Sequence, residues 1–301
     1  MNMQDAIDRA CASVGIHPPK RIAYGKWLPA DTLAGKHGKG DGRVILDDRR
    51  VTAHNWQTGV SETIWLRDDI PVKERRRIAH EVRQQEEKRK AQAERAARTA
   101  SRIIEASASA THPYLARKGF PQEQVLVVEA DYLRRHVGDY LVCGDRAVVM
   151  PARVGSRVTS VQLIWEDGTK KFLAGGVIGG VSHRIAAGSA TWLCEGYATG
   201  LSLRAALKSL NRTDTILCCF SASNVAEVAK RVRGRCYIAA DHDKPMEQFD
   251  GLGTGEHWAR VAGKPYAMPP SQGDINDMHL REGIFVVQKL ITDTVKEARM
   301  R

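Results

Sequence analysis

The 301 residues carry 46 Lys and Arg against 35 Asp and Glu, a formal charge of +11, and a cationic surplus of this size points to a polyanionic partner such as nucleic acid. Hydrophobic residues make up 43% and charged residues 27%, which excludes wholesale disorder and supplies a core for two modest domains. No run approaches the roughly 20 apolar residues that span a bilayer, and the N-terminal MNMQDAIDRACASVGI contains acidic residues and no apolar signal core, so a cytoplasmic location without a membrane segment is expected.

Residues 1 to about 20 read as a short helix with Ala6, Ile7, Ala10 and Val14 on one face, stopped by Gly15 and the Pro18-Pro19 pair. From Ile22 to Leu66 the chain is rich in Gly and short β-prone runs, with Trp27, Trp56 and Trp65 and a basic stretch from Gly35 to Arg43 expected to be a mobile loop. Three tryptophans in about 40 residues suit either a small core or a surface that stacks bases. Pro71 to about Ser109 has helical composition, with 11 Lys/Arg against 5 Glu between Lys73 and Arg102. Its apolar positions are few and mostly Ala, so it reads as a solvated linker helix or as a helix riding along a nucleic-acid backbone.

After His112-Pro113 the pattern becomes strands and turns through about Arg184, with Trp165-Glu-Asp-Gly168 as a hairpin turn. From Thr191 onward strand alternates with helix: TWLCEG then ATGLSLRAALKSL, TILCCF then SNVAEVAKRVRG, RCYIAAD then GEHWARVAG, and finally PYAMPP. Such alternation predicts a mainly parallel sheet with helices on its faces. A terminal amphipathic helix after Glu282 is expected to turn Phe285, Val286, Leu290 and Ile291 inward.

Six cysteines at 11, 143, 194, 218, 219 and 236 form no CxxC pair, which argues against structural zinc. The runs LCEG, ILCCF and RCYIAAD place four of them in apolar surroundings, where reduced Cys behaves as a small buried hydrophobe.

In open α/β sheets functional groups gather at the carboxyl ends of the strands. Glu195 follows TWLC, Asp241 and Asp243 follow RCYIAA, and Asp274 and Asp277 follow PYAMPPSQG. The steps of 46 residues from Glu195 to Asp241 and 31 from Asp243 to Asp274 suit strand-helix returns to one sheet edge. Carboxylates converging there would repel one another without a cation, and hard oxygen ligands favour Mg²⁺ or Mn²⁺.

The set Glu195-Gly196, Asp241-His242-Asp243 and Asp274-Ile-Asn-Asp277 resembles a Toprim domain, the fold shared by bacterial-type primases, topoisomerases and some nucleases. The segment from Gly273 to Asp277 is similar to the GDWND segment of plasmid and phage primases, and HPYLARKG, VVMPAR, SVQLIWEDGTKKFLAGG and SHRI occur in an order similar to mobile-element primases. The resemblance covers roughly residues 110 to 280. It implies acid/base or metal-related work for Glu195, Mg²⁺ held by Asp241 and Asp243 with Asp274 as a further ligand, and nucleotide or nucleic-acid contacts for Asn276 and Asp277. Lys170, Lys171 and Arg184 are expected to face template or nucleotide phosphates, although they also suit ordinary surface charge.

The expected architecture is therefore α/β. Residues 1–70 form a β-rich region that could bind template, 71–110 a basic helical linker, and 111–190 a basic β-containing subdomain. A Toprim-like, mainly parallel sheet with flanking helices follows at 191–280, then a C-terminal helix at 281–301. The resemblance implies a primase joining ribonucleoside triphosphates on a single-stranded DNA template. No GxxxxGK[ST] loop occurs in the sequence, so a separate helicase is expected as partner. A Toprim nuclease and a non-catalytic replication protein are the alternatives. The last draws on Thr199, which stands where replicative primases often have a further Asp. A topoisomerase is disfavoured, because no Tyr has an identifiable nucleophile context.

Overall fold

The computed structural model describes residues 1–33, 40–66 and 72–300, and for 72–79, 81 and 82 the backbone alone. Of the basic stretch Gly35 to Arg43, residues 35–39 therefore lie outside the described residues, and with them most of the expected mobile loop. The chain divides into two compact units, residues 1–83 with 244–253, and residues 84–243 with 254–301.

In the first unit α1 (Met3–Val14) is capped by the Asn2 side chain, which accepts from the Asp5 N–H, and ends on Gly15 in the left-handed region. It packs Ala6, Ile7, Ala10, Cys11 and Val14 against an antiparallel meander of β1 (Leu28–Ala30), β2 (Gly42–Leu46), β3 (Arg50–Asn55) and β4 (Ser61–Trp65). Strand alternation buries Val44, Leu46, Val51 and Ala53 under α1 and turns Arg43, Ile45, Arg50, Thr52 and His54 to the other face. The tryptophans are not core: Trp27, Trp56 and Trp65 are 53%, 65% and 42% exposed.

Helix α2 (Val72–Glu105) begins in the first unit and ends in the second. The solvated reading holds for most of residues 84–95, but Ala96, Ala100 and Ile103 are buried. They lie one helical turn apart on a single stripe, which even a mostly alanine face can use to pack closely on a sheet. That sheet is antiparallel, in the order β5 (Ala108–Ala110), β6 (Val125–Glu129), β7 (Arg146–Val154), β8 (Arg157–Trp165) and β9 (Lys170–Phe172). The short helices α3 (Pro113–Arg117) and α4 (Ala130–His136) flank β6 in sequence. The expected hairpin forms: β8 and β9 join through Trp165–Gly168, with Gly168 at φ +93 and its N–H donating to the Trp165 carbonyl.

The second sheet runs in the order β10 (His183–Ala186), β12 (Thr215–Cys218), β11 (Thr191–Cys194), β13 (Cys236–Ala239) and β14 (Tyr266–Ala267). Only β10 is antiparallel; the other four are parallel to their neighbours. Both faces are covered, as the continuous apolar runs of β11 and β13 require. Trp192, Cys194, Tyr237 and Ala239 face α5 (Tyr197–Ser209), α8 (Ile275–Glu282) and α9 (Ile284–Met300). Leu193, Cys236, Ile238 and Ala240 face α6 (Ala222–Ala229) and α7 (Thr254–Ala262).

The first of these clusters also contains Val127, Val148, Met150 and Ile164 from the antiparallel sheet. Residues 111–190 and 191–280 thus share one core instead of forming separate bodies. In α9 the inward residues are Val287, Ile291, Thr294 and Val295, whereas Phe285 is 78% exposed. Of the residues expected inward, Ile291 is in the core and Val286 and Leu290 pack against it, so Phe285 alone is misplaced. Among the described residues no helix is long and apolar enough to cross a membrane.

One buried polar group ties this core together. Asp214 accepts from Trp192 Nε1 at 3.2 Å and from Arg212 Nη2 at 2.7 Å, while Trp192 stacks on Tyr237 with ring centroids 4.9 Å apart. Asp214→Ala leaves a buried indole N–H and a guanidinium without their acceptor and should cost about 3 kcal/mol, read as a lower urea midpoint in equilibrium unfolding.

Candidate metal centre

The strand register brings three acidic groups to one edge. Cys194 lies beside Ala239 in the parallel pair of β11 and β13, so Glu195, one residue beyond β11, and Asp241, two beyond β13, leave the sheet on adjacent strands about 5 Å apart. The Glu195 carbonyl accepts from the Phe220 N–H at 2.9 Å, which draws the end of β12 onto the same loop. Phe220 itself stands at φ +71, an unusual conformation for a bulky residue and one that marks constrained backbone.

The DHD segment is anchored by an isolated β-bridge. His242 pairs its backbone with Gly273 through two hydrogen bonds of 3.0 and 3.1 Å, and its Nδ1 lies 2.9 Å from the Pro269 carbonyl. The Asp243 carboxylate accepts from the Gly255 N–H at the start of α7, at 2.8 Å, where the helix N-terminus favours negative charge. Gly255 is essential to this approach, because a Cβ there would sit 2.3 Å from the Asp241 carbonyl oxygen and 2.8 Å from its nitrogen. Asp241 Oδ1 is buried and has no hydrogen-bond partner.

The electrostatics report the crowding. Burial, then the Asp243 charge, pushes the Glu195 carboxyl up to about 7, against the opposing pull of Lys170 and of the Ala222 backbone N–H. Asp241 is raised well above the usual carboxylate range by burial, then by Glu195, Asp274 and Asp243, with Lys170 again opposing. Four carboxylates therefore share one field with a single ammonium close enough to lower both. Lys170 and Lys171 part company because neighbouring strand residues point to opposite faces. Phe172, on the Lys170 side, meets Phe220 edge-on at 5.4 Å, whereas Lys171 Nζ turns away and donates to the Tyr140 carbonyl at 2.7 Å.

The remaining expected site residues have structural partners. Asp274 caps α8 by accepting from the Asp277 N–H at 2.9 Å, and Asp277 returns the bond to the Asp274 N–H, a capping box. Asp277 also pairs with Lys118 at 3.3 Å. Asn276 is fully buried, and its amide donates to the Lys118 carbonyl and to Ser202 Oγ. It holds α8 to the HPYLARKG segment, while its Oδ1 is buried without a hydrogen-bond partner. Arg184, on edge strand β10, lines a separate cavity of about 710 Å³ together with Arg153 and Arg231. Lys118, Phe220 and Gly255 escape a sequence reading. Only Gly255 leaves a trace there, in the Gly-rich run after the DHD motif.

Among the described residues no three His, Cys, Asp or Glu side chains are gathered closely enough to hold a metal ion by themselves. Mg²⁺ commonly keeps several waters and is held by one or two carboxylates plus substrate phosphates. The orphaned Asp241 oxygen and the raised Glu195 fit that kind of partial shell, since a cation would satisfy the first and reverse the second.

Residues 190–284 match the family described as the Toprim domain, a span that contains every carboxylate of this centre and excludes Lys170 and Arg184. Among solved structures the chain is similar to the primase fragment of the bacteriophage T7 primase-helicase protein, with 15% identity and a TM-score of 0.38, over 56% of this chain and 66% of that one. It is also similar to a chain in the complex of the bacteriophage T7 lagging-strand DNA polymerase with primase domains of two gp4 subunits bound to an RNA/DNA hybrid and dTTP. There the identity is 16% and the TM-score 0.37, over 51% and 78% of the two chains.

Two outcomes follow from the geometry. Gly255→Ala should push the start of α7 off the Asp241 backbone and weaken Mg²⁺ binding measured by calorimetry, although Gly→Ala in an unconstrained helix is stabilising. Glu195, raised from 4.5 to about 7, binds its proton more tightly in the folded state. Metal-free stability should therefore fall as pH rises from about 4.5 to 7, by on the order of 3 kcal/mol. Thermal melts in EDTA should show this fall, Glu195→Gln should reduce it and leave the part due to Asp241, which burial also raises, and Mg²⁺ should raise the melting temperature more at pH 8 than at pH 5.

Proposed function

We propose that this protein is a primase, a divalent-metal-dependent nucleotidyltransferase that joins ribonucleoside triphosphates on single-stranded DNA. The observation that carries the reading is the convergence of Glu195, Asp241 and Asp243 at the carboxyl edge of a parallel sheet, with one buried Asp241 oxygen left unpartnered. The Toprim match over residues 190–284 supports it.

Asp241 and Asp243 are the residues that would hold Mg²⁺ or Mn²⁺, with Glu195 beside them. The bound ion would supply charge stabilisation for the transferring phosphoryl group and the departing pyrophosphate. Glu195, whose carboxylate a bound cation would favour, would accept the proton of a primer 3′ hydroxyl. Lys170 sits where an incoming triphosphate would meet the carboxylates and offsets their repulsion. Arg184, Arg153 and Arg231, whose cavity has no acidic lining residue, offer phosphate contacts for the template strand.

The test is to incubate the protein with single-stranded DNA, labelled ribonucleotides and Mg²⁺ or Mn²⁺, beside Asp241→Asn/Asp243→Asn. Short labelled oligomers from the wild type alone are expected; a shortened template without new label would mean a nuclease, and no change in either strand a binding protein. Lys170→Ala should lower kcat by about tenfold or more. Because Lys170 pulls the Glu195 carboxyl down, its loss should also move the acid limb of the pH-rate profile to higher pH.

A further inference from the structure

We propose that the uncovered face of the β1–β4 sheet is a second nucleic-acid site, a stacking platform for single-stranded DNA. The face is defined by register. Arg50 pairs with Trp65, Thr52 with Thr63, His54 with Ser61 and with Arg43, and Thr52 with Ile45, so these residues share the side opposite α1. The hydrophobic cluster of this unit forms under α1, and among the described residues none forms on the opposite face. Each of two exposed tryptophans there is held against a nitrogen-bearing side chain of β3. The Arg50 guanidinium lies 5.5 Å from the Trp65 ring centre, and His54 meets Trp56 edge-on at 4.5 Å.

Arg50 and His54 are four residues apart on one extended strand, which sets the two aromatic stations roughly 13 Å apart. Rings held by these contacts and yet 65% and 42% exposed offer aromatic surface for stacking, since a hydrophobic core would have buried them.

Charge selects the occupant. Among the described residues the strands give this face Arg43 and Arg50 and no carboxylate, since Glu62 pairs with Ala53 and so lies on the α1 side; burial lowers the His54 imidazole, so His54 contributes a ring and not a cation. Arg43 donates to the Gly40 and Gly42 carbonyls and so keeps its charge uncancelled there. Arg50 is partly offset by Asp47, at 3.1 Å. In the same unit the segment before β1 carries exposed Lys20, Arg21 and Lys26 close in sequence to exposed Tyr24 and Trp27. Aromatic faces interleaved with cations suit unpaired bases on a phosphate backbone and leave a duplex, whose bases are already stacked, without the aromatic term. The choice of DNA over RNA rests on the priming reading above.

The test is fluorescence anisotropy of the full chain with labelled oligothymidylate, in EDTA and without nucleotides, so that it reads binding whether or not primers are made. Trp56→Ala/Trp65→Ala should weaken binding at least tenfold, while Trp56→Phe/Trp65→Phe, which keeps the stacking faces, should stay within about threefold of wild type. The wild type should bind duplex DNA of the same length more weakly and lose affinity as salt rises. The proposal is overturned if the alanine pair binds like wild type, if the phenylalanine pair loses as much as the alanine pair, or if wild type does not bind the oligomer. Tighter binding of oligouridylate would make RNA the occupant and overturn the choice of DNA.

Discussion

Four carboxylates gathered at the carboxyl edge of a parallel sheet repel one another, and much of the second unit can be understood as what holds them there. The backbone bridge between His242 and Gly273 locks the DHD turn to the loop that begins α8. Gly255 lets the start of α7 come against the Asp241 backbone, and its N–H anchors Asp243. Lys170 supplies the counter-charge from a different sheet. What these contacts leave unresolved is a buried oxygen without a donor and a glutamate raised to about 7, a strain that a divalent cation, as proposed, would relieve.

The counter-charge can come from another sheet because the two sheets share a core. Ile164 and Met150 from the antiparallel sheet pack in the cluster that holds Trp192 and Leu201, and the backbone of Arg153 pairs with Ser182 just before β10. At the other end of the same junction Asn276, Ser202, Lys118 and Asp277 form a chain of buried and half-buried polar contacts. The acidic loop is thereby fixed from both sides, with Asn276 and Asp277 taking part in its anchoring.

The first unit follows a different rule. One helix covers one face of its sheet, and the other face keeps its aromatic and basic side chains open to solvent. A four-stranded meander of this size has one core to fill, and the tryptophans are not spent on it. Ile7, Val14, Leu46 and Val51, with Ala6, Ala10, Val44 and Ala53 between them, fill it.

The sequence by itself determined the order of strands and helices from Thr191 onward, the hairpin at Gly168, the helix ending on Gly15, and the placement of Glu195, Asp241 and Asp243 at strand ends. Apolar runs, turn dipeptides and caps are local signals read within a few residues. Tertiary structure alone decided which of those residues meet. That Lys170 faces the carboxylates while Lys171 does not depends on the register of β9 against β8. That Asn276 is buried depends on Lys118 and Ser202, 158 and 74 residues away, and that Trp56 and Trp65 stand in solvent depends on which face α1 covers. Each is a long-range pairing, and a one-dimensional pattern carries the periodicity of a face without naming what lies against it.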